Sequence, residues 1–184
     1  AKLEAEAAAQ SVQALTLDST SLFFGANQGT EQFTTLENNL VKVTFSNKGG
    51  RVVSATLKDY KNQQGEPLTL FNEQESAMNF AFEGKNENIL TEDMFFQPIN
   101  VTDSTVTMRL QTTGAGYIDF AYRLLPESYL VNFNIRAVGM QNFFPAAQKT
   151  VNIDWSQLAR QQEKGYDFEQ RYTSLTYKPV DDGS

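Results

Sequence analysis

The sequence predicts an all-β fold, a twisted antiparallel β-sandwich. Two observations carry this. Apolar and polar residues alternate one by one through several short segments, which is the period of a half-buried strand. Those segments are separated by clusters of Gly, Pro and Asn, residues that suit tight turns between antiparallel neighbours. The material for a core is present: 40% of the 184 residues are hydrophobic, and 14 are Phe. One domain fits this length.

Residues 1–31 read as a linker. Ala5 to Leu15 is rich in Ala and Gln and favours a short helix, but its apolar face is almost all alanine and has little to bury. Phe23 and Phe24 follow among small polar residues, either tucked against the domain or exposed as a short contact. The β pattern begins near Glu37. Val41, Val43 and Phe45 alternate with Lys42, Thr44 and Ser46. Asn47-Lys48-Gly49-Gly50 then turns the chain, because Gly49 and Gly50 accept positive φ without steric cost. The return strand, Arg51 to Lys58, places Val53, Ala55 and Leu57 inward. A second turn over residues 62–67 leads into Leu68–Phe71.

Shorter strands are expected over Asn79–Glu83 and Phe95–Ile99. Longer ones follow: Val106, Met108 and Leu110 form one stripe, and Ile118, Phe120, Tyr122 and Leu124 form the next. After the turn at Pro126-Glu127-Ser128 come Tyr129, Val131, Phe133 and Ile135. Val151, Ile153 and Trp155 make a further stripe, expected to pack in the core. A polar, helix-compatible stretch runs from Gln157 to Lys164, and Tyr172–Tyr177 reads as a final strand. The domain is expected to span 32–184 and to stop short of its last strands.

The chain has no histidine and no cysteine. That removes Ser-His-Asp and Cys-His nucleophile systems, the usual zinc ligand sets and any disulfide framework. A formal net charge of −7 argues against nucleic acid and against docking on anionic lipid, both of which need a clustered Lys/Arg field. No apolar run approaches the roughly 18 residues of a membrane-spanning helix. The acidic pairs Glu73/Glu75 and Glu92/Asp93 lack the shaped loop of a calcium site and read as solvated surface. Ser54 and Lys58 lie on a strand, where a spacing of four does not bring them together. Catalytic, cofactor and metal sites are therefore expected to be absent. The candidates that remain are aromatic. Phe143 and Phe144 precede Pro145, and adjacent strand residues face opposite ways, so one of the two is expected to be exposed.

The stretch Leu36 to Val52, with its alternating strand and Gly49-Gly50 hairpin, is similar to the start of the periplasmic domain of the YidC/Oxa1/Alb3 insertase family, in its Bacteroidetes-like versions. Leu57 to Lys61, Leu68 to Phe71, the Tyr122-to-Ile135 hairpin and Tyr172 to Lys178 continue that family's order of elements. The resemblance covers roughly residues 36–180. It implies a large sandwich like that of galactose mutarotase, placed after a removed membrane helix and a polar linker, on the periplasmic face of the inner membrane. Sugar epimerases of that fold use histidines for proton transfer, so the fold is expected here without the catalysis. The implied role is a non-catalytic domain that assists membrane protein insertion and folding, with no cofactor. Its implied partners are Sec translocon subunits and nascent membrane proteins, and it reaches the membrane only through segments absent from this chain. Tyr129, Phe133, Phe143 and Phe144 are the candidate partner contacts. A secreted carbohydrate-binding or adhesin-like sandwich is the competing reading.

Overall fold

The computed structural model describes residues 17, 19–146, 150–162, 165–172 and 174. Eleven strands form three antiparallel sheets among these residues. The first sheet holds β1 (Phe33–Glu37), β2 (Val41–Ser46), β3 (Arg51–Lys61) and β4 (Pro67–Phe71), in that order. The second holds β7 (Gln97–Ile99), β8 (Thr105–Gln111), β9 (Tyr117–Leu124) and β10 (Val131–Val138), again as neighbours in sequence order. The third places β5 (Ser76–Glu83) between β6 (Asn88–Leu90) and β11 (Asn152–Gln157). One helix, α1 (Tyr166–Tyr172), follows. Neighbour-to-neighbour pairing through short turns is what Gly- and Asn-punctuated alternating segments produce.

The expected stripes are the core. Val41, Val43 and Phe45 from β2, Val106, Met108 and Leu110 from β8, and Ile118, Phe120 and Leu124 from β9 are all buried. Phe80 and Phe82 of β5 close over them, the Phe80 ring 4.7 Å from that of Phe120. The first sheet is locked to the second by one buried hydrogen bond. The Tyr122 hydroxyl donates to the Gly50 carbonyl at 2.7 Å. Gly50 has φ of 62°, and a Cβ there would lie 3.1 Å from the Phe96 ring and 3.2 Å from Phe120. The Gly49-Gly50 hairpin therefore supplies a backbone conformation and also room for the ring cluster beneath it. Burial pushes the Tyr122 phenol far above its ordinary pKa, so it remains a donor at all working pH values.

Four expectations change. Residues 19–31, read as linker, pack on the domain: of the two readings of the Phe pair, Phe23 takes the tucked one, its ring meeting Phe143 edge-on at 5.4 Å, while Phe24 is exposed. Ser21 and the Leu22 amide bind the Glu87 carboxylate at 2.6 and 2.9 Å, and the Phe95 amide donates to the Ala26 carbonyl at 2.7 Å. A segment poor in hydrophobics is thus anchored by one Phe and several polar contacts, which periodicity cannot reveal. β1 and β6 were not anticipated, because FTTLE and NIL are too short to show a period. Residues 158–162 after β11 are irregular, and the helix comes later, over Tyr166–Tyr172, so Tyr172 ends a helix rather than beginning a strand. The rest of the expected last strand, like the Ala-rich start, lies outside the described residues. Lastly, Trp155 and Ile153 are 62% and 54% exposed, not buried.

Replacing Tyr122 with Phe leaves the Gly50 carbonyl without its donor in a dry setting. The expected loss is about 1–2 kcal/mol in chemical denaturation, with the native far-UV spectrum retained. Gly50→Ala is expected to cost at least as much, because strain at positive φ adds to overpacking against Phe96, roughly 1–3 kcal/mol.

Candidate interaction surface

The described residues offer little chemistry. No group of three or more His, Cys, Asp or Glu among them is placed to hold a metal ion. The charged groups that do meet are structural. Arg109 on β8 and Asp119 on β9 are cross-strand partners and pair through two bonds, at 2.7 and 2.8 Å. The Arg109 guanidinium also lies 3.6 Å from the centre of the Tyr117 ring. This cluster covers the outer face of the second sheet.

Glu75, one of the acidic residues set aside as solvated surface, closes a capping box. Its carboxylate accepts from the Asn72 amide, while Asn72 accepts from the Gln74 amide. Arg160, from the irregular segment after β11, donates to the same carboxylate at 2.7 Å. The Arg160 bond leads the effects that hold the Glu75 pKa below its ordinary 4.5. This pair ties the chain after β11 to the β4–β5 connection.

The surface that stands out is apolar. A groove of about 330 Å³ runs between the first sheet and the turn leading into β10. Its floor is Val41, Val43, Val52 and Leu57, and its walls are Leu70, Met78, Leu130 and Trp155. Asn38 sets one wall. Its side-chain amide donates to the carbonyls of Leu125 and Ser128 at 2.8 and 2.7 Å, while its carbonyl accepts from the Leu40 and Val41 amides. One side chain thereby clamps the β1–β2 turn to the β9–β10 turn. Within that second turn Glu127 takes positive φ, 47°. Tyr129 and Leu130 are carried outward from there and are 45% and 65% exposed. Desolvation, with Tyr60 and Asp59 close by, raises the Tyr129 pKa.

The four aromatic candidates part ways. Tyr129 sits at the groove rim. Phe133 lies on the inner face of β10, stacked on Tyr122 at 4.7 Å, yet remains 39% exposed. Phe143 is buried at 3% between Phe23 and Phe144, so it is removed as a contact residue. Phe144 is half-buried against Phe82. The expectation that one of this pair is exposed is met only in part. Sequence reading passed over Leu130 and Trp155 as surface residues. Leu130 follows a turn, where exposure was foreseeable, whereas Trp155 continues an inward stripe.

Comparison with known proteins places the chain in a family. The sequence model of the YidC periplasmic domain matches residues 34–182. The chain belongs to the YidC periplasmic domain family. It is 71% identical over 184 residues to the membrane protein insertase YidC of Phocaeicola vulgatus, covering 100% of this chain and 30% of that protein. It is 50% identical over 182 residues to that of Bacteroides fragilis, covering 99% and 29%. With the insertase YidC of Porphyromonas gingivalis the identity is 39% over 188 residues. No solved structure matches the chain. The chain spans about a third or less of the length of these relatives, and within that family it is a periplasmic domain.

Two outcomes are expected. Trp155 is the single tryptophan, so its emission in this 184-residue chain reads one site. That emission should lie at the wavelength of a hydrated indole and be quenched readily by iodide, and Trp155→Phe should change stability by less than about 0.5 kcal/mol. The second concerns acid. A carboxylate whose folded pKa is depressed contributes stability that is present above its unfolded pKa and disappears as pH falls through the folded one. Denaturant titrations should therefore show wild type losing stability below about pH 4.5, with a shallower loss in Glu75→Gln and Arg160→Ala.

Proposed function

We propose that this domain is a non-catalytic accessory of a membrane protein insertase. It assists the insertion and folding of inner-membrane proteins by contacting Sec translocon subunits or emerging substrate chains. The observation that carries the reading is similarity along the whole chain to proteins named membrane protein insertase. The absence of histidine and cysteine from the sequence supports the non-catalytic part, since it removes the usual acid/base and nucleophile chemistry.

The contact site we favour is the rim formed by Tyr60, Tyr129 and Leu130. All three are exposed, at 53%, 45% and 65%. Tyr129 and Leu130 ride on a turn held by Asn38, so presenting them to a partner costs little ordering entropy. Aromatic residues with a polar tip serve well at such surfaces, because they bury area against a partner and keep a hydrogen bond. A sugar-binding role would draw on the exposed Trp155, but Ile153 and Leu158 beside it are aliphatic and supply no hydroxyl-binding array.

A photo-crosslinking residue at position 129 in the full-length insertase should capture a translocon subunit or a nascent membrane protein. The same residue at position 107, on the polar outer face of β8, should not. Tyr129→Ala with Leu130→Ser should lower association severalfold and leave the melting curve within about 0.5 kcal/mol of wild type. Unchanged crosslinking in that variant would remove this surface from the reading.

A further inference from the structure

The alternation that buries Ile118, Phe120, Tyr122 and Leu124 turns Tyr117, Asp119, Ala121 and Arg123 of β9 to the opposite, outer face of the second sheet. β8 and β10 add their own outward side chains in register with these. At the Tyr117 end, Arg109 and Arg136 stand across from Asp119, and the charged groups there bind one another or Tyr117. The other end is different. Thr107 and Asn134 stand across from Ala121, and Thr105 and Asn132 stand across from Arg123. Among the described residues, the side chains of Thr107, Arg123, Asn132 and Asn134 have no hydrogen-bond or ion-pair partner.

Ala121 carries a single side-chain carbon, so the middle of this polar array is a hollow. Its volume is about 460 Å³, within the roughly 300–1,000 Å³ of small-ligand sites. The connection between β7 and β8 forms its end wall. There Asn100 takes positive φ, 51°, and its carbonyl accepts from the Thr105 hydroxyl at 3.1 Å. The Thr102 hydroxyl accepts from the Ser104 and Thr105 amides at 3.3 and 3.0 Å, so the wall is held before any ligand arrives.

The lining selects a chemical class. Thr and Asn side chains both donate and accept hydrogen bonds, as a hydroxyl does, so the array matches a ligand rich in hydroxyls. Arg123 adds a guanidinium, whose fork pairs with a carboxylate or a phosphate. Of the outward side chains of β7 to β10, three are arginine and one is a carboxylate, which makes this face positive in a chain of net charge −7. An extended peptide fits poorly, because β9 at the centre is paired on both sides and offers no backbone group. A lipid surface fits poorly as well, since the face carries no lysine and no run of basic residues. We propose that the hollow over Ala121 binds a saccharide that carries an anionic group. Thr107, Asn132 and Asn134 bond its hydroxyls, and Arg123 holds its anion. The site is on a different sheet from Trp155 and is independent of the rim contact at Tyr129.

Calorimetric titration of the full-length insertase, in nanodiscs of neutral phosphatidylcholine, tests this. Digalacturonate and glucose 6-phosphate are the acidic probes, maltose the neutral one and sodium acetate the bare anion. At least one acidic sugar should bind saturably, with maltose about tenfold or more weaker. Arg123→Gln should raise the Kd of the acidic sugar about tenfold and leave that of maltose unchanged. Arg136→Gln removes the same charge from the same face but lies two cross-strand rows away, about 13 Å along the strands. At about 150 mM salt that exceeds the screening length, so binding should be unchanged. Ala121→Leu fills the hollow and should abolish binding. If it also lowers the melting temperature, Asn134→Ala, at an exposed position, carries the same test with a severalfold loss. Absence of saturable binding by either acidic sugar would overturn the proposal. So would equal weakening by Arg123→Gln and Arg136→Gln, or binding that survives both Ala121→Leu and Asn134→Ala. Acetate that competes as strongly as the sugar would reduce the site to an adventitious anion and overturn it too.

Discussion

Phe120 is the side chain on which the three sheets converge. Its ring lies 4.7 Å from Phe80, 4.9 Å from Phe96 and 5.5 Å from Phe133, with Phe82 at 6.1 Å. These contacts reach β5 of the third sheet, the chain entering β7, and β10 beside it. The first sheet joins through Gly50, which must lack a Cβ to lie over Phe96 and Phe120 and whose carbonyl accepts a hydrogen bond from the Tyr122 hydroxyl. Rings in edge-on and tilted contact add modestly to the area they bury. Their larger effect is to set the spacing of the layers, while the rim at Tyr129 is held by the Asn38 clamp.

The surface is shaped by the edges more than by the faces. The outer face of the second sheet is finished at its Tyr117 end: Arg109, Asp119 and Tyr117 satisfy one another there. The flank between β10 and β11 is not, and it concentrates the exposed apolar groups.

The stripes through β2, β8 and β9 were legible because each strand is long enough for three or four alternations, and alternation maps directly onto one face of a pleated sheet. The hairpin at Gly49 and Gly50 was legible for a local reason too, since positive φ selects glycine. The same logic misled at Val151, Ile153 and Trp155. Their alternation correctly reports which way they face, and says nothing about whether a layer lies opposite. Phe143 shows the converse. It was a candidate for exposure because two Phe stand side by side before a Pro, and it is buried because Phe23, 120 residues earlier, lies against it.

Fold class, strand faces, the principal turn and the absence of histidine or cysteine chemistry were thus determined by the sequence, because each depends on a residue and its near neighbours. The family resemblance was equally local, carried by the order of short segments. Which flank is open, which aromatic is bare, and that Asn38 holds the Tyr129 turn were decided only by the tertiary structure. Those properties depend on the stacking of sheets and on contacts between residues far apart in the chain, and side-chain periodicity along a single strand contains no information about what stands across from it.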